Sequence, residues 1–241
     1  ASQKSHLTKA SNKQVSSKQE YSRNSAKSSS LPDLRKYPSG TPRKKAFLRT
    51  VMPYITSQNA AITAERNWLI SKQYQGQWSP AERARLKDIA KRYKVKWSGN
   101  TRKIPWNTLL ERVDIIPTSM VATMAAAESG WGTSKLARNN NNLFGMKCMK
   151  GRCTNAPGKV KGYSQFSSVK ESVSAYVTNL NTHPAYSSFR KSRAQLRKAD
   201  QEVTATAMIH KLKGYSTKGK SYNNYLFAMY QDNQRLIAAH M

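Results

Sequence analysis

The stretch best suited to chemistry is Ala127-Glu128-Ser129-Gly130-Trp131-Gly132-Thr133-Ser134-Lys135-Leu136-Ala137, followed shortly by Asn142-Leu143-Phe144-Gly145. A carboxylate here ends an apolar, alanine-rich run at a glycine-flanked turn. Burial at such a place would raise the pKa of Glu128 and suit it to donate a proton. The two glycines let a ligand or another backbone come close, and Trp131 offers a flat apolar face for a sugar ring. The competing reading is a glutamate that caps a helix C-terminus by accident, where the helix dipole disfavours an anion. Proton donation by Glu128 is the chemistry this pattern predicts.

The string E-S-G-W-G-x-S-x-L-A at Glu128–Ala137, then N-L-F-G at 142–145, resembles the signature of bacterial β-N-acetylglucosaminidases of glycoside hydrolase family 73. Arg112-Val113-Asp114 with Ile116-Pro117, and later Asn181-Thr182-His183-Pro184-Ala185-Tyr186, resemble one branch of that family. The likeness covers roughly residues 44–241. It implies a lysozyme-like α fold with a β-hairpin lobe beside the cleft. It also implies hydrolysis of the β-1,4 bond after N-acetylglucosamine in peptidoglycan, with Glu128 as the acid. Gly214-Tyr215-Ser216-Thr217 and Tyr222 resemble a family segment whose final tyrosine lines the site, although Lys218 stands where that segment carries aspartate.

Glycosidases usually use two carboxylates. The chain has only 12 Asp and Glu in all, and none lies between Glu128 and Glu171. The expected hairpin therefore lacks the glutamate that relatives often place there. Glu171 is a candidate second group, but it also stands at the third position of a helix and can serve there as a cap. Asp114 precedes the helix that presents Glu128 and could orient it. Two mechanisms remain open: the substrate's own 2-acetamido group acts as nucleophile, with Tyr222 or Asn142 steadying the intermediate, or a distant carboxylate activates water for inversion. Trp131, Phe144, Tyr163 and Phe166 are candidate stacking walls for sugar rings, and Tyr215 joins them through the resemblance.

These residues need elements to hold them. From Lys44 the apolar spacing of Phe47, Leu48, Val51, Ile55, Ile62, Trp68 and Leu69 predicts a helical face, kinked at Pro53. Ser79-Pro80-Ala81-Glu82 reads as a capping box opening a helix to about Tyr93. Short helical runs follow near Trp106–Val113 and from Pro117 to Glu128. Residues 144–148 and 159–166 read as two strands around a Gly/Pro loop. Ser168-Val169-Lys170-Glu171 reads as a second capping box, Pro184 and Asp200 as further helix starts, and Ser221–Ala239 as the last helix.

Cys148 and Cys153 enclose four residues including Gly151, a spacing that suits a bridge across a tight turn and not a C-x-x-C redox site. A disulfide implies an oxidising compartment; two buried free thiols are the alternative. The histidines show no ligand spacing, and neither metal nor other cofactor is expected.

Forty-two Lys and Arg give a formal net charge of +30, which draws a chain toward polyanions of any kind. No recognisable nucleic-acid motif interleaves the basic residues, so no specific nucleic-acid partner is expected. A basic surface on a wall enzyme would hold it to carboxylate-bearing peptidoglycan by a weak, salt-sensitive attraction. Ten of the first thirty residues are serine, and residues 1–43 read as a disordered basic tail. The remainder, 44–241, reads as one mainly α (α+β) domain with an N-terminal helical part at 44–115 and a catalytic core at 116–241. No apolar run reaches the ~20 residues of a membrane span. The expectation is a monomeric, periplasmic or secreted glycosidase, its start fitting a mature form after signal removal. A muramidase, a lytic transglycosylase and a non-enzymatic polyanion- or wall-binding protein are the alternatives.

Overall fold

The computed structural model describes residues 31–212 and 219–241. The tail reading for residues 1–30, and the placement of Tyr215, lie outside them.

Helix α1 (Thr41–Lys72) is the longest element, about 48 Å at 1.5 Å per residue. Pro42 sits at its start, where the missing N–H costs nothing, and the helix continues through Pro53. Its buried face is Phe47, Leu48, Val51, Met52, Ile55, Ile62 and Leu69, nearly the set that the spacing predicts. Packing begins earlier than Lys44, however. Asp33 accepts from the Arg35 N–H and caps a 3-10 turn at Leu34–Lys36, and Leu34 is fully buried. The ordered domain therefore takes in residues that composition alone assigned to the tail.

Helix α2 (Pro80–Arg92) opens on the expected box: Ser79 Oγ accepts from the Glu82 N–H at 3.1 Å while Glu82 accepts from the Ser79 N–H at 3.0 Å. Helix α3 (Trp106–Arg112) leads into α4 (Thr118–Ser129), whose residues Met120 to Ala126 are all buried. Helices α1 and α9 (Gly219–Ala238) both pack on α4. The run of small side chains at Ala122, Ala125 and Ala126 lets them come close. A one-turn-and-a-half helix α5 (Lys135–Asn140) follows, capped by Ser134. Helices α6 (Val169–Thr182) and α7 (Ser187–Lys198) flank the 3-10 turn Pro184–Tyr186, and α8 (Ala205–Met208) is capped by Thr204. Asp200 does not start a helix; it takes a left-handed backbone at φ 52°, and the next helix opens five residues later.

The β-hairpin lobe is not formed. Residues 144–166 meet in a single antiparallel bridge between Lys147 and Tyr163, and no strand occurs among the described residues. The reason is visible in the hydrogen bonding. The Cys148 N–H reaches the Gly162 carbonyl and the Ser164 N–H reaches the Met146 carbonyl, but the Gln165 and Phe166 N–H groups turn to the Arg152 and Asn140 carbonyls, and several other polar groups of the segment go to side chains. Asn140, Asn142 and Ser164 take up the carbonyls and N–H groups that a ladder would use. A disulfide between Cys148 and Cys153 closes the loop between them, as the spacing predicts.

The core is one connected cluster running from Leu34 to Ile237. Its chief polar inclusion lies at the junction of α3 and α4. Asp114 is 1 % exposed, and Arg197 grips its two oxygens at 2.8 and 2.9 Å. Arg66 and Arg193 stand 3.5 and 3.9 Å from the same carboxylate. The fully buried Arg193 also donates to the carbonyls of Glu111, Asp114 and Ile115. Burial alone would raise the Asp114 pKa, but the Arg197 hydrogen bonds and the charges of Arg193 and Arg66 outweigh it and hold the carboxyl below its usual range. Asp114 thus orients the approach to α4, as its position in the sequence suggests, by anchoring arginines from α1 and α7.

Candidate active site

Glu128 stands in the last turn of α4, followed by Gly130 in the left-handed conformation that ends the helix. Ser129 secures the turn: its hydroxyl donates to the Ala125 carbonyl at 2.6 Å and accepts from the Gly132 N–H at 2.9 Å. The turn throws the Glu128 side chain outward. Glu128 is exposed, so the burial that its alanine-rich helix suggests is not present in the free protein.

The carboxylate opens onto a cavity of about 270 Å³. Tyr222, on α9, donates its hydroxyl to Glu128 Oε1. The other oxygen faces Gly145, where a Cβ would lie 3.0 Å from Oε2 on a backbone at φ +65°. Glycine is required there for both reasons: the left-handed backbone and the close approach of the carboxylate. Burial, reinforced by the hydrogen bond to Glu128, pushes the Tyr222 phenol well above its usual range, so it remains a neutral donor. Phe144 lines the cavity and stacks on Tyr176, with ring centroids 4.2 Å apart and planes 9° apart. Met124, Asn179, Tyr186 and Lys147 complete much of the wall.

Of the residues singled out in the sequence, the structure brings Glu128, Tyr222 and Phe144 together. Trp131 goes elsewhere. Its ring meets Phe47 edge-on at 5.5 Å beneath the Lys44 ammonium, on the α1 side of the turn. A Cβ on Gly132 would meet Leu34 Cδ1 at 2.5 Å. The G-W-G part of the signature therefore packs the turn after Glu128 on α1 and the preceding segment, and does not touch the cavity. Tyr163 is half-buried in its bridge with Lys147 and is absent from the cavity wall, and Phe166 is core.

Asn142 is 1 % exposed and fully engaged with backbone. It donates to the Met146 and Ser164 carbonyls and accepts from the Phe144 and Met146 N–H groups. It shapes the N-L-F-G turn that delivers Gly145 to Glu128 and has no atom free for an intermediate. Glu171 is not at this cavity either. Its N–H is capped by Ser168 Oγ at 3.1 Å, while its carboxylate accepts from Ser167 and pairs with Arg152. The Ser167 hydrogen bonds and Arg152 hold its pKa below the usual carboxylate range. The box is thus displaced by one residue, the side chain reaching Ser167 and not Ser168.

Tyr176, Tyr186, Asn179 and Lys147 were not singled out as site residues. Tyr176 and Asn179 sit on α6 among Val173, Val177 and Leu180, where a tyrosine one turn from valines reads as core; only the fold shows that its ring forms the floor under Phe144.

The sequence profile of the glucosaminidase family, described as mannosyl-glycoprotein endo-beta-N-acetylglucosaminidase, matches residues 105–235, more than half of the chain. The chain belongs to this family. It is accordingly a glycosidase of N-acetylglucosaminyl linkages, acting on peptidoglycan. The matched span begins just before α3 and includes the whole cavity wall, leaving α1 and α2 outside it. No solved structure matches the chain.

Proposed function

We propose that Glu128 is the proton donor of a peptidoglycan β-N-acetylglucosaminidase in which the substrate's 2-acetamido group is the nucleophile. The observation that carries this reading is the cavity's charge inventory: among the described residues Glu128 is its sole carboxylate. Of the other eleven acidic residues, the ten that the structure describes lie elsewhere. Asp33, Glu65, Glu82, Asp88, Asp114 and Glu171 are paired with arginine or lysine; Glu111, Asp200, Glu202 and Asp232 do not line the cavity; Glu20 falls in the N-terminal segment. The sequence of residues 213–218 contains no carboxylate.

The steps follow from these residues. A glycan bound over the exposed Glu128 excludes water from the bond to be broken. Glu128 gives its proton to the glycosidic oxygen as that oxygen leaves C1, and the acetamido carbonyl oxygen bonds to C1 from the opposite face. Tyr222 fixes the carboxyl and steadies the charge that develops on the ring side. Water then attacks C1, its proton returns to Glu128, and the acetamido group is restored. Two displacements at C1 retain the β configuration. Proton NMR of fresh product from soluble glycan strands tests this. The β anomer is expected first; the α anomer first would mean inversion by a water-activating group.

The finer resemblance, to the bacterial Bax branch of the family, rests on Arg112–Asp114, Ile116-Pro117 and Asn181–Tyr186. Asp114 and Asn181 are joined in the structure, the Asn181 amide donating to the Asp114 carbonyl at 3.0 Å, which gives those motifs a shared structural purpose. A wall glycosidase with a disulfide belongs outside the cytoplasm, and a periplasmic or secreted location is the specific proposal. The domain division follows the same reading, with 116–241 as the catalytic core and the segment before it as its buttress.

A further inference from the structure

Among the described residues Lys147 is the one cation on the cavity wall. It is exposed and takes part in none of the ion pairs found there. Its backbone, by contrast, is held from several directions. It forms the antiparallel bridge with Tyr163, and its carbonyl accepts from Ser164 Oγ at 2.8 Å. The neighbouring Met146 carbonyl and Cys148 N–H are bonded to Ser164 and Gly162 at 2.9 and 3.1 Å, and Cys148 itself is tied to Cys153. A flexible ammonium on a fixed base, facing a cavity and in no ion pair among the described residues, is placed to meet an anion that arrives from outside.

The substrate offers that anion at a defined place. Every second sugar of peptidoglycan carries a lactyl ether whose carboxyl is either free or extended by a stem peptide that bears carboxylates of its own. Cleavage after N-acetylglucosamine puts such a sugar directly beside the broken bond. We propose that Lys147 is a specificity residue that pairs with a carboxylate of the muramoyl unit flanking the scissile linkage. The proposal rests on the reading of the cavity as a peptidoglycan glucosaminidase site. On this account the excursion at 144–166, which supplies no second carboxylate, supplies the charge that separates the acidic wall polymer from neutral β-1,4-linked N-acetylglucosamine.

The test is binding, measured by calorimetry in the Glu128→Gln protein so that the ligand survives. Three ligands are compared: glycan strands stripped of peptide, the same strands with lactyl carboxylates converted to methylamides, and strands retaining stem peptides. Lys147→Met is expected to weaken binding of carboxylate-bearing strands about tenfold, the scale of one charge-assisted hydrogen bond near solvent. It should leave the amidated strands unchanged, and Lys147→Arg should restore most of the loss. A loss already present with stripped strands assigns the lactyl carboxylate; a loss confined to peptide-bearing strands assigns the stem peptide. Equal affinity of Lys147→Met and its parent for every ligand overturns the proposal, as does an equal loss on the amidated strands. Should Glu128→Gln itself still cleave, the proton-donor assignment fails and not this one, and the same comparison is read from KM.

Discussion

The hydroxyl of Tyr222 donates to Glu128 across 94 positions of sequence, from α9 to the end of α4. One carboxylate oxygen is held by the phenol and the other lies against Gly145, so two separate segments fix the carboxylate's position.

Tyr222→Phe removes the donor while keeping the ring on the wall. The expected result is a fall in kcat of about ten- to hundredfold, the scale of one hydrogen bond to a charged group, with KM nearly unchanged. Steady-state kinetics on soluble glycan strands measure both. A change in KM alone would make Tyr222 a sugar-binding residue and nothing more.

Gly145→Ala places a methyl 3.0 Å from Glu128 Oε2 on a backbone at φ +65°. The strained backbone costs about 1 kcal/mol or more of stability, and the displaced carboxyl should lower kcat at least tenfold. Thermal unfolding and kinetics separate the two effects. Wild-type turnover in a folded Gly145→Ala protein would remove Gly145 from the positioning of the acid.

Much of this arrangement can be read from the sequence, and the parts that cannot share a cause. Glu128 and Gly145 belong to contiguous strings, and the α2 cap and the disulfide follow from local spacing. Local patterns do not reveal which side of a turn faces the cavity. Trp131 and Gly132 share a turn with Glu128, yet Phe47 and Leu34 claim them, through contacts some 85 to 100 positions away in sequence. The strand-like residues at 144–166 also mislead, because buried asparagines there take the bonds that a partner strand would need. Leu34 is hidden by its context: a short run of Leu31, Leu34 and Tyr37, interrupted by proline and next to a serine- and lysine-rich stretch, is too brief to give a periodicity, but Leu34 fills the space that Gly132 leaves open.

Asp114 gives the fold a defined acid sensitivity. Its folded pKa is depressed by the arginines around it, so the stabilisation is complete above the ordinary carboxylate value of about 3.9. It is lost as pH falls through the lower folded value. Asp114→Ala, which leaves the fully buried Arg193 without its counter-charge, should cost about 3–5 kcal/mol at neutral pH. The difference between wild type and variant should shrink as pH drops below 4. Denaturant titrations across that range measure it; a difference that does not change with pH would mean that the carboxylate's charge is not what stabilises the junction.

The most direct test of the account is digestion of purified peptidoglycan by the wild type and by Glu128→Gln, with borohydride reduction and mass spectrometry of the ends. The prediction is reduced N-acetylglucosamine ends from the wild type and none from a folded Glu128→Gln protein. Continued cleavage by the variant would contradict the assignment of Glu128, and reduced muramic or anhydro ends from the wild type would contradict the reaction itself.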